Sequence, residues 1–359
     1  MATEFAVTRT TLQVLGTGAA LPGSALTTDE VLTRVGPFLS RRQVSLARRL
    51  GQRLGIGTRH LSRSLEAPIE CTRPEDAAPR LAARALKAAL TAAGATVGDL
   101  TFLIGHTATP HTLLPSNTAW TADELGFSGP HVELRQACTG FAAALVLAEG
   151  LLAGPAPSVG IVGSETGSVY FDPSRATDDP GQLVNLVQMG DGAGAVVLGP
   201  LLDRRGSRIE LAFFGNQGLG RPPGLALCGG GSGAPFLAGG LPQFAHRFDD
   251  IRAHGLELLR ASLAAAEAAG IDRAAIDWFM PHPANGRLPE LCEEHLGLPA
   301  RRVVCGAREL GNLGSAAIWV GLDRLRRSGQ LRPDQRVLVL GAEATKYLYG
   351  GFVYVHGRN

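Results

Sequence analysis

Apolar positions along the chain fall into two alternating kinds of run. Alanine- and leucine-rich stretches such as Arg84-Ala-Leu-Lys-Ala-Ala-Leu-Thr-Ala-Ala-Gly94 predict a helix that glycine stops. Short, nearly unbroken runs such as Asp99-Leu-Thr-Phe-Leu-Ile-Gly-His106 predict buried strands. The pair recurs: Arg260-Ala-Ser-Leu-Ala-Ala-Ala-Glu-Ala-Ala-Gly270 leads into Ile276-Asp-Trp-Phe-Met-Pro-His282 at a constant offset (270 − 94 = 176 and 282 − 106 = 176). Downstream, Cys138-Thr-Gly-Phe-Ala-Ala-Ala-Leu-Val-Leu faces Asn312-Leu-Gly-Ser-Ala-Ala-Ile-Trp-Val-Gly (312 − 138 = 174). Val159-Gly-Ile-Val-Gly-Ser-Glu165 faces Val337-Leu-Val-Leu-Gly-Ala-Glu343, with glycines 178 apart (341 − 163).

A duplicated α/β fold follows from this repeat. Helices alternating with apolar strands imply largely parallel sheets covered by helices. Two halves, 1–200 and 201–359, are expected to pack as a pseudo-twofold pair joined near Gly199-Pro200, with a mobile insertion at Cys228-Gly-Gly-Gly-Ser-Gly-Ala-Pro. Equivalent strand ends should then meet near the pseudo-axis, where open α/β sheets bind ligands.

Composition narrows the function. Of 359 residues, 45% are hydrophobic and 18% charged, which excludes global disorder. Lys+Arg 34 against Asp+Glu 32, without a like-charge block, argues against a dedicated nucleic-acid binder. The five cysteines are odd in number and lack C-x-x-C spacing, so they read as reduced thiols and not as a zinc site; no metal is expected. The N-terminus lacks a signal-peptide pattern, and the longest apolar segment, Phe141 to Ala153, is too short to span a bilayer and is interrupted by Glu149. The expectation is a cytoplasmic enzyme without membrane contact.

Three residues at strand-to-helix junctions carry the candidate chemistry. Cys138 lies where an apolar helix begins, whose free N–H groups and dipole should favour thiolate. His282, directly after a strand, can exchange or donate a proton near neutral pH. Asn312, the duplicate of Cys138, can donate to a developing oxyanion without changing charge. Gly190-Asp-Gly-Ala-Gly-Ala-Val-Val-Leu198 precedes its apolar run and lacks a Gly-Lys-Ser/Thr ending, so it reads as a turn into a strand and not a nucleotide loop. His106 and His111, beside Asp123 and Glu124, form no convincing metal pattern.

The motifs Gln136-Ala-Cys-Thr-Gly, Met189-Gly-Asp-Gly-Ala-Gly-Ala-Val-Val, Pro281-His-Pro-Ala-Asn and Gly311-Asn312 together resemble the β-ketoacyl-acyl-carrier-protein synthase III-like family of thiolase-fold condensing enzymes, over nearly the whole chain. The resemblance implies a five-layered, thiolase-like αβαβα fold, a homodimer and a Cys-His-Asn site. Cys138 would take an acyl group from a thioester, its oxyanion held by backbone N–H groups of Cys138, Gly341 and Ala342. A malonyl (or β-ketoacyl) thioester would follow, with His282 and Asn312 stabilising the enolate formed as CO2 leaves. No resident cofactor is implied; substrates ride on coenzyme A or on the phosphopantetheine of an acyl carrier protein. Asn285 matches the family's His-x-Ala-Asn and holds local structure beside the substrate.

Three features depart from the family pattern. A glycine run is replaced by Gly341-Ala-Glu-Ala-Thr-Lys-Tyr347, which brings Glu343 to the pocket. A tryptophan expected before the Leu54-Gly-Ile56 turn is absent, and Arg48, Arg49 and Arg53 stand ready for phosphopantetheine or an acidic carrier protein. Leu113-Leu114 occupies the stretch that, in the family, lines the partner's acyl tunnel. An acyltransferase passing the Cys138-bound group to an alcohol or amine, with His282 as general base, is the alternative reading; a non-catalytic partner subunit is a remote third.

Overall fold

The computed structural model describes residues 5–153, 158–232 and 242–358. Its strands are β1 (Phe5–Ala20), β2 (Leu26–Thr27), β3 (Thr58–Arg59), β4 (Phe102–His106), β5 (His131–Leu134), β6 (Val159–Glu165), β7 (Gly192–Pro200), β8 (Arg208–Asn216), β9 (Leu225–Cys228), β10 (Gln243–His246), β11 (Trp278–Pro281), β12 (Arg336–Glu343) and β13 (Leu348–Val355). Its helices are α1 (Thr28–Val35), α2 (Arg41–Leu54), α3 (Ala78–Ala93), α4 (Asn117–Leu125), α5 (Gly140–Leu152), α6 (Gly181–Gln188), α7 (Phe248–Ala268), α8 (Leu288–Leu296), α9 (Ala307–Leu310) and α10 (Ala317–Arg327).

Nine strands form one mixed sheet in the order β11-β12-β13-β8-β1-β7-β6-β4-β5. The long strand β1 stitches it together: residues 5–13 pair with β8, and residues 12–20 pair with β7, with irregularities at Arg9/Leu12 and Val14/Gly16 where it changes partner. The halves therefore interlock, because residues 5–13 pair with a strand beyond Pro200.

Three cores separate five layers. One lies between α3 and the strands β4, β6 and β7. A second lies between α7 and α8 on one side and β8, β12 and β13 on the other. The third surrounds α5 and α10, which are sandwiched between the two portions of the sheet. Local sequence explains the fit. α3 lies on β1 with alanines against glycines, and a Cβ on Gly16 or Gly18 would stand 2.2 or 2.3 Å from the carbonyls of Ala89 and Ala85. Gly94 ends α3 at φ +65 and donates to the Leu90 and Thr91 carbonyls, a left-handed cap that glycine adopts without strain.

The expectation of largely parallel sheets is corrected. Only β4/β5, β4/β6 and β11/β12 are parallel, whereas β1/β7, β1/β8, β6/β7, β12/β13 and β8/β13 are antiparallel. For β12 and β13 the cause is connection length, because the link of 344–347 is far too short for a parallel crossover. Of the insertion expected to be mobile, 233–241 lies outside the described residues; its flanks are the paired strands β9 and β10.

Candidate active site

Cys138 sits two residues before α5, whose Phe141, Ala142, Ala144, Leu145 and Ala148 are all buried in the central core. That burial fixes the helix entry at the middle of the molecule. Thr139 donates its backbone N–H to Glu343 Oε2 at 2.9 Å and its hydroxyl to the same oxygen at 2.7 Å, while the Thr345 hydroxyl donates to Oε1. Glu343 is the last residue of β12 and is buried. Oε2 of Glu343 thus caps α5 while Oε1 is held by Thr345 in the link to β13, which gives this side chain a structural role beside Cys138.

The duplicate half repeats this arrangement. Glu165, the last residue of β6, accepts the Ser315 N–H at 3.0 Å and its hydroxyl at 2.8 Å, together with the Ala108 N–H at 3.2 Å and the Thr109 hydroxyl. The Ser315 hydroxyl also lies 3.3 Å from the Gln136 carbonyl, two residues before Cys138. Each strand-end glutamate thus sits on the helix entry of the opposite half.

This changes the electrostatics expected of the thiol. Burial, then the charges of Glu343 and Glu165, push the Cys138 thiol well above the ordinary cysteine range. The helix entry that should have favoured thiolate already holds a carboxylate, so its positive potential is largely satisfied by Glu343.

His282 follows β11 and is held by its backbone N–H, which donates to the Leu340 carbonyl at 2.7 Å. Its ring is buried, and neither nitrogen has a hydrogen-bond partner. Burial lowers its pKa to about 4, opposed by the neighbouring Asn312 carboxamide, so the imidazole is neutral near pH 7. Asn312 is fixed from three sides. Its N–H donates to the Gln188 carbonyl at 2.8 Å, its carbonyl accepts from the Gly190 N–H at 3.0 Å, and its Oδ1 accepts from the Gly314 N–H at 3.0 Å. With Oδ1 occupied, the amide nitrogen is the end left to donate.

The three candidates are joined by a closed circuit of contacts. Thr139, next to Cys138, meets Glu343 on β12; β12 pairs with β11, which delivers His282; His282 faces Asn312; Gly314 and Ser315 lead from Asn312 to Glu165 and back to Gln136. A cavity of about 240 Å³ lies nearby, lined by Pro283, Gly311 and Leu313 and by Arg324 and Leu325 of α10, but by none of Cys138, His282 and Asn312.

The other predicted residues are placed less centrally. Leu340 turns its carbonyl towards β11, so strand alternation turns the Gly341 peptide towards Gly350 of β13 and the Ala342 peptide back towards the His282 side. The Gly341 N–H is thus on the β13 side of the strand and the Ala342 N–H on the β11 side. Asn285 accepts the Arg287 N–H at 2.8 Å and shapes its own turn, in keeping with a role in local structure. Arg49 and Arg53 are exposed on α2; Arg49 contacts Ser45, and the end of α2 meets the His282 segment where the Gly286 N–H donates to the Leu54 carbonyl at 2.8 Å. Leu113 and Leu114 are exposed at 59% and 88%, and Leu113 lies beside Gly230, just beyond β9. Thr139, Glu165 and Ser315 were not singled out from the sequence, although Glu165 and Glu343 occupy matching positions (343 − 165 = 178).

Among the described residues no group of three His, Cys, Asp or Glu is placed to hold a metal, and no helix is long and apolar enough to cross a membrane.

A duplicated αβαβα architecture with Cys, His and Asn brought to its centre is that of a thiolase-like condensing enzyme. Residues 132–218 and 266–353 match the family descriptions "3-Oxoacyl-[acyl-carrier-protein (ACP)] synthase III" and its C-terminal counterpart. The chain is 31% identical over 350 residues to the β-ketoacyl-[acyl-carrier-protein] synthase III of Neisseria meningitidis serogroup C, covering 95% of this chain and 97% of that one. Among solved structures it is similar to AbyA1, a tetronic acid condensing enzyme, at TM-score 0.81 and 27% identity, covering 96% and 100% of the two chains. It is also similar to the priming β-ketosynthase of the R1128 polyketide biosynthetic pathway, at TM-score 0.77 and 25% identity, covering 97% of each. The chain belongs to the 3-oxoacyl-[acyl-carrier-protein] synthase III family.

Proposed function

We propose that this enzyme loads an acyl group onto Cys138 and condenses it with a malonyl or β-ketoacyl thioester in fatty-acid- or polyketide-type biosynthesis. In loading, Cys138 sulfur attacks the thioester carbonyl, the carbon–sulfur bond to the carrier breaks, and the Cys138 proton leaves with the carrier thiol. The Cys138 N–H and the Ala342 N–H are the backbone donors proposed for the oxyanion. With a malonyl thioester, the bond to the carboxylate then breaks and CO2 leaves. The enolate oxygen receives hydrogen bonds from His282 and the Asn312 amide nitrogen, and its carbon attacks the acyl group, releasing Cys138. Written this way, the reaction needs no resident cofactor.

The observation that carries the reading is the buried His282, neutral near pH 7, with the Asn312 carboxamide beside it. A neutral donor pair suits an oxyanion that appears and disappears within one turnover. The similarity to condensing enzymes favours this over transfer to an alcohol or amine. The exposed Arg49 and Arg53 suit the phosphate of a phosphopantetheine arm or an acidic carrier protein, and we propose a homodimer built around Leu113 and Leu114.

Intact-protein mass after exposure to acyl-coenzyme A and acyl-carrier-protein thioesters tests the loading step. An adduct is expected in wild type and not in Cys138→Ser. Malonyl carrier protein should then yield a β-ketoacyl product. Absence of any adduct overturns the reading, and an adduct released only to an alcohol or amine replaces it with the acyltransferase.

A further inference from the structure

His106, the last residue of β4, has no place in the chemistry above, yet it lies directly under the nucleophile's turn. It is buried, as is Trp319 of α10, whose indole N–H donates to His106 Nε2 at 3.0 Å. Indole nitrogen is only ever a donor, so Nε2 must be the accepting nitrogen and the proton resides on Nδ1. Nδ1 is turned to the carbonyls of Gln136 and Ala137 without closing a well-aligned bond to either. These two peptides immediately precede Cys138.

The slot for this ring is cut by two glycines. A Cβ on Gly140, the first residue of α5, would stand 2.6 Å from His106 Nδ1, and a Cβ on Gly163 of β6 would stand 2.7 Å from Cε1. No side chain fits at either glycine while the imidazole stays in place. Trp319 is itself fixed by stacking on Phe352 and by an edge contact with Phe141.

We propose that His106 is a positioning residue for Cys138: Trp319 fixes its tautomer, and its Nδ1–H supports the Gln136 and Ala137 carbonyls that aim the thiol at the reaction space. The inference rests on the proposed role of Cys138 as nucleophile, and its device joins the two halves, since Trp319 comes from one and His106 from the other.

The test follows alkylation of Cys138 by iodoacetamide across pH, read by mass spectrometry on the Cys138 peptide, a readout that needs no substrate. An asparagine amide nitrogen falls near the place of Nδ1, and a glutamine amide nitrogen near that of Nε2. His106→Asn should therefore keep a rate close to wild type, whereas His106→Gln should slow it by about twofold to fivefold, the worth of a polar contact at the weak end of hydrogen bonding. Trp319→Phe, which removes the N–H and keeps an aromatic ring at that place, should also slow alkylation and decides the matter if a His106 variant fails to fold. Equal rates in His106→Asn and His106→Gln, or a wild-type rate in Trp319→Phe, would overturn the proposal. Failure of wild type to form any acyl adduct would instead sink the proposed function and leave these alkylation rates intact.

Discussion

Glu343 and Thr139 meet at 2.9 Å, carboxylate to backbone N–H, across 204 residues of sequence and one position beyond Cys138. A carboxylate at a helix entry is stabilising there, but the same charge opposes ionisation of the adjacent thiol. The cap and the nucleophile therefore compete for one positive potential. Glu343→Gln keeps an acceptor for the Thr139 N–H and removes the charge. Its expected outcome is faster alkylation of Cys138 at pH 7.5, with the pH profile displaced to lower pH and little change in melting temperature. Glu343→Ala, which removes the acceptor too, should cost about 1 kcal/mol or more of stability in urea unfolding.

Much of the frame around this pair was legible in the sequence, because backbone elements leave local marks. The apolar run Val159–Glu165 is strand β6 from end to end, and Gly94 stops its helix as read. The Cys138, His282 and Asn312 junctions appeared as strand ends or helix entries at repeated offsets. What stayed hidden is contact between distant residues. Nothing near Glu343 announces Thr139, and the antiparallel pairings of β1 with β7 and β8 join runs far apart in sequence. Glu165 is the instructive case: its match to Glu343 was present in the repeat, and only the reciprocal capping shows why both are glutamate. The thiolate expectation failed for the same reason, since a helix entry reads as free until its cap is seen.

Asn312 offers the most direct check on the second half-reaction. Its Oδ1 is tied to Gly314, so truncation removes a prearranged donor and leaves the backbone ties to Gln188 and Gly190. Asn312→Ala should reduce CO2 release from malonyl thioester by about a hundredfold to a thousandfold, the range seen for loss of one oxyanion donor. Acyl loading of Cys138 should persist, because this donor faces the enolate and not the loading carbonyl. Equal loss in both steps would assign Asn312 to the structure of the site.

Stability against pH reports the neutral imidazoles. Burial holds His282 and His106 at about 4, against an ordinary value of 6.5. Between these values the unfolded chain binds protons that the native chain does not. Their contribution is therefore complete above pH 6.5 and declines as pH falls towards 4. Buried Glu165 and Asp191 are shifted upwards, and their contribution runs the other way, fading as pH rises. Comparison of wild type with His282→Gln isolates the histidine: in urea unfolding from pH 7 to 4.5, the variant should lose less stability than wild type.

The surface should reveal the assembly. Strand β5 ends the nine-stranded order and offers one unpaired edge, and Val132 on it is 37% exposed. Leu114, 88% exposed, and Leu113, 59% exposed, stand on the loop before α4. An uncovered edge with exposed leucines nearby invites pairing with a second copy. Light scattering should give twice the chain mass for wild type. Leu114→Asp places a charge where a partner would need apolar surface, and it should shift the population towards monomer while leaving the melting of the single chain nearly unchanged. If the acyl tunnel is completed by the partner, the same substitution should also impair loading of long acyl chains more than short ones. A dimer untouched by Leu114→Asp, with unaltered chain-length preference, would place the interface elsewhere.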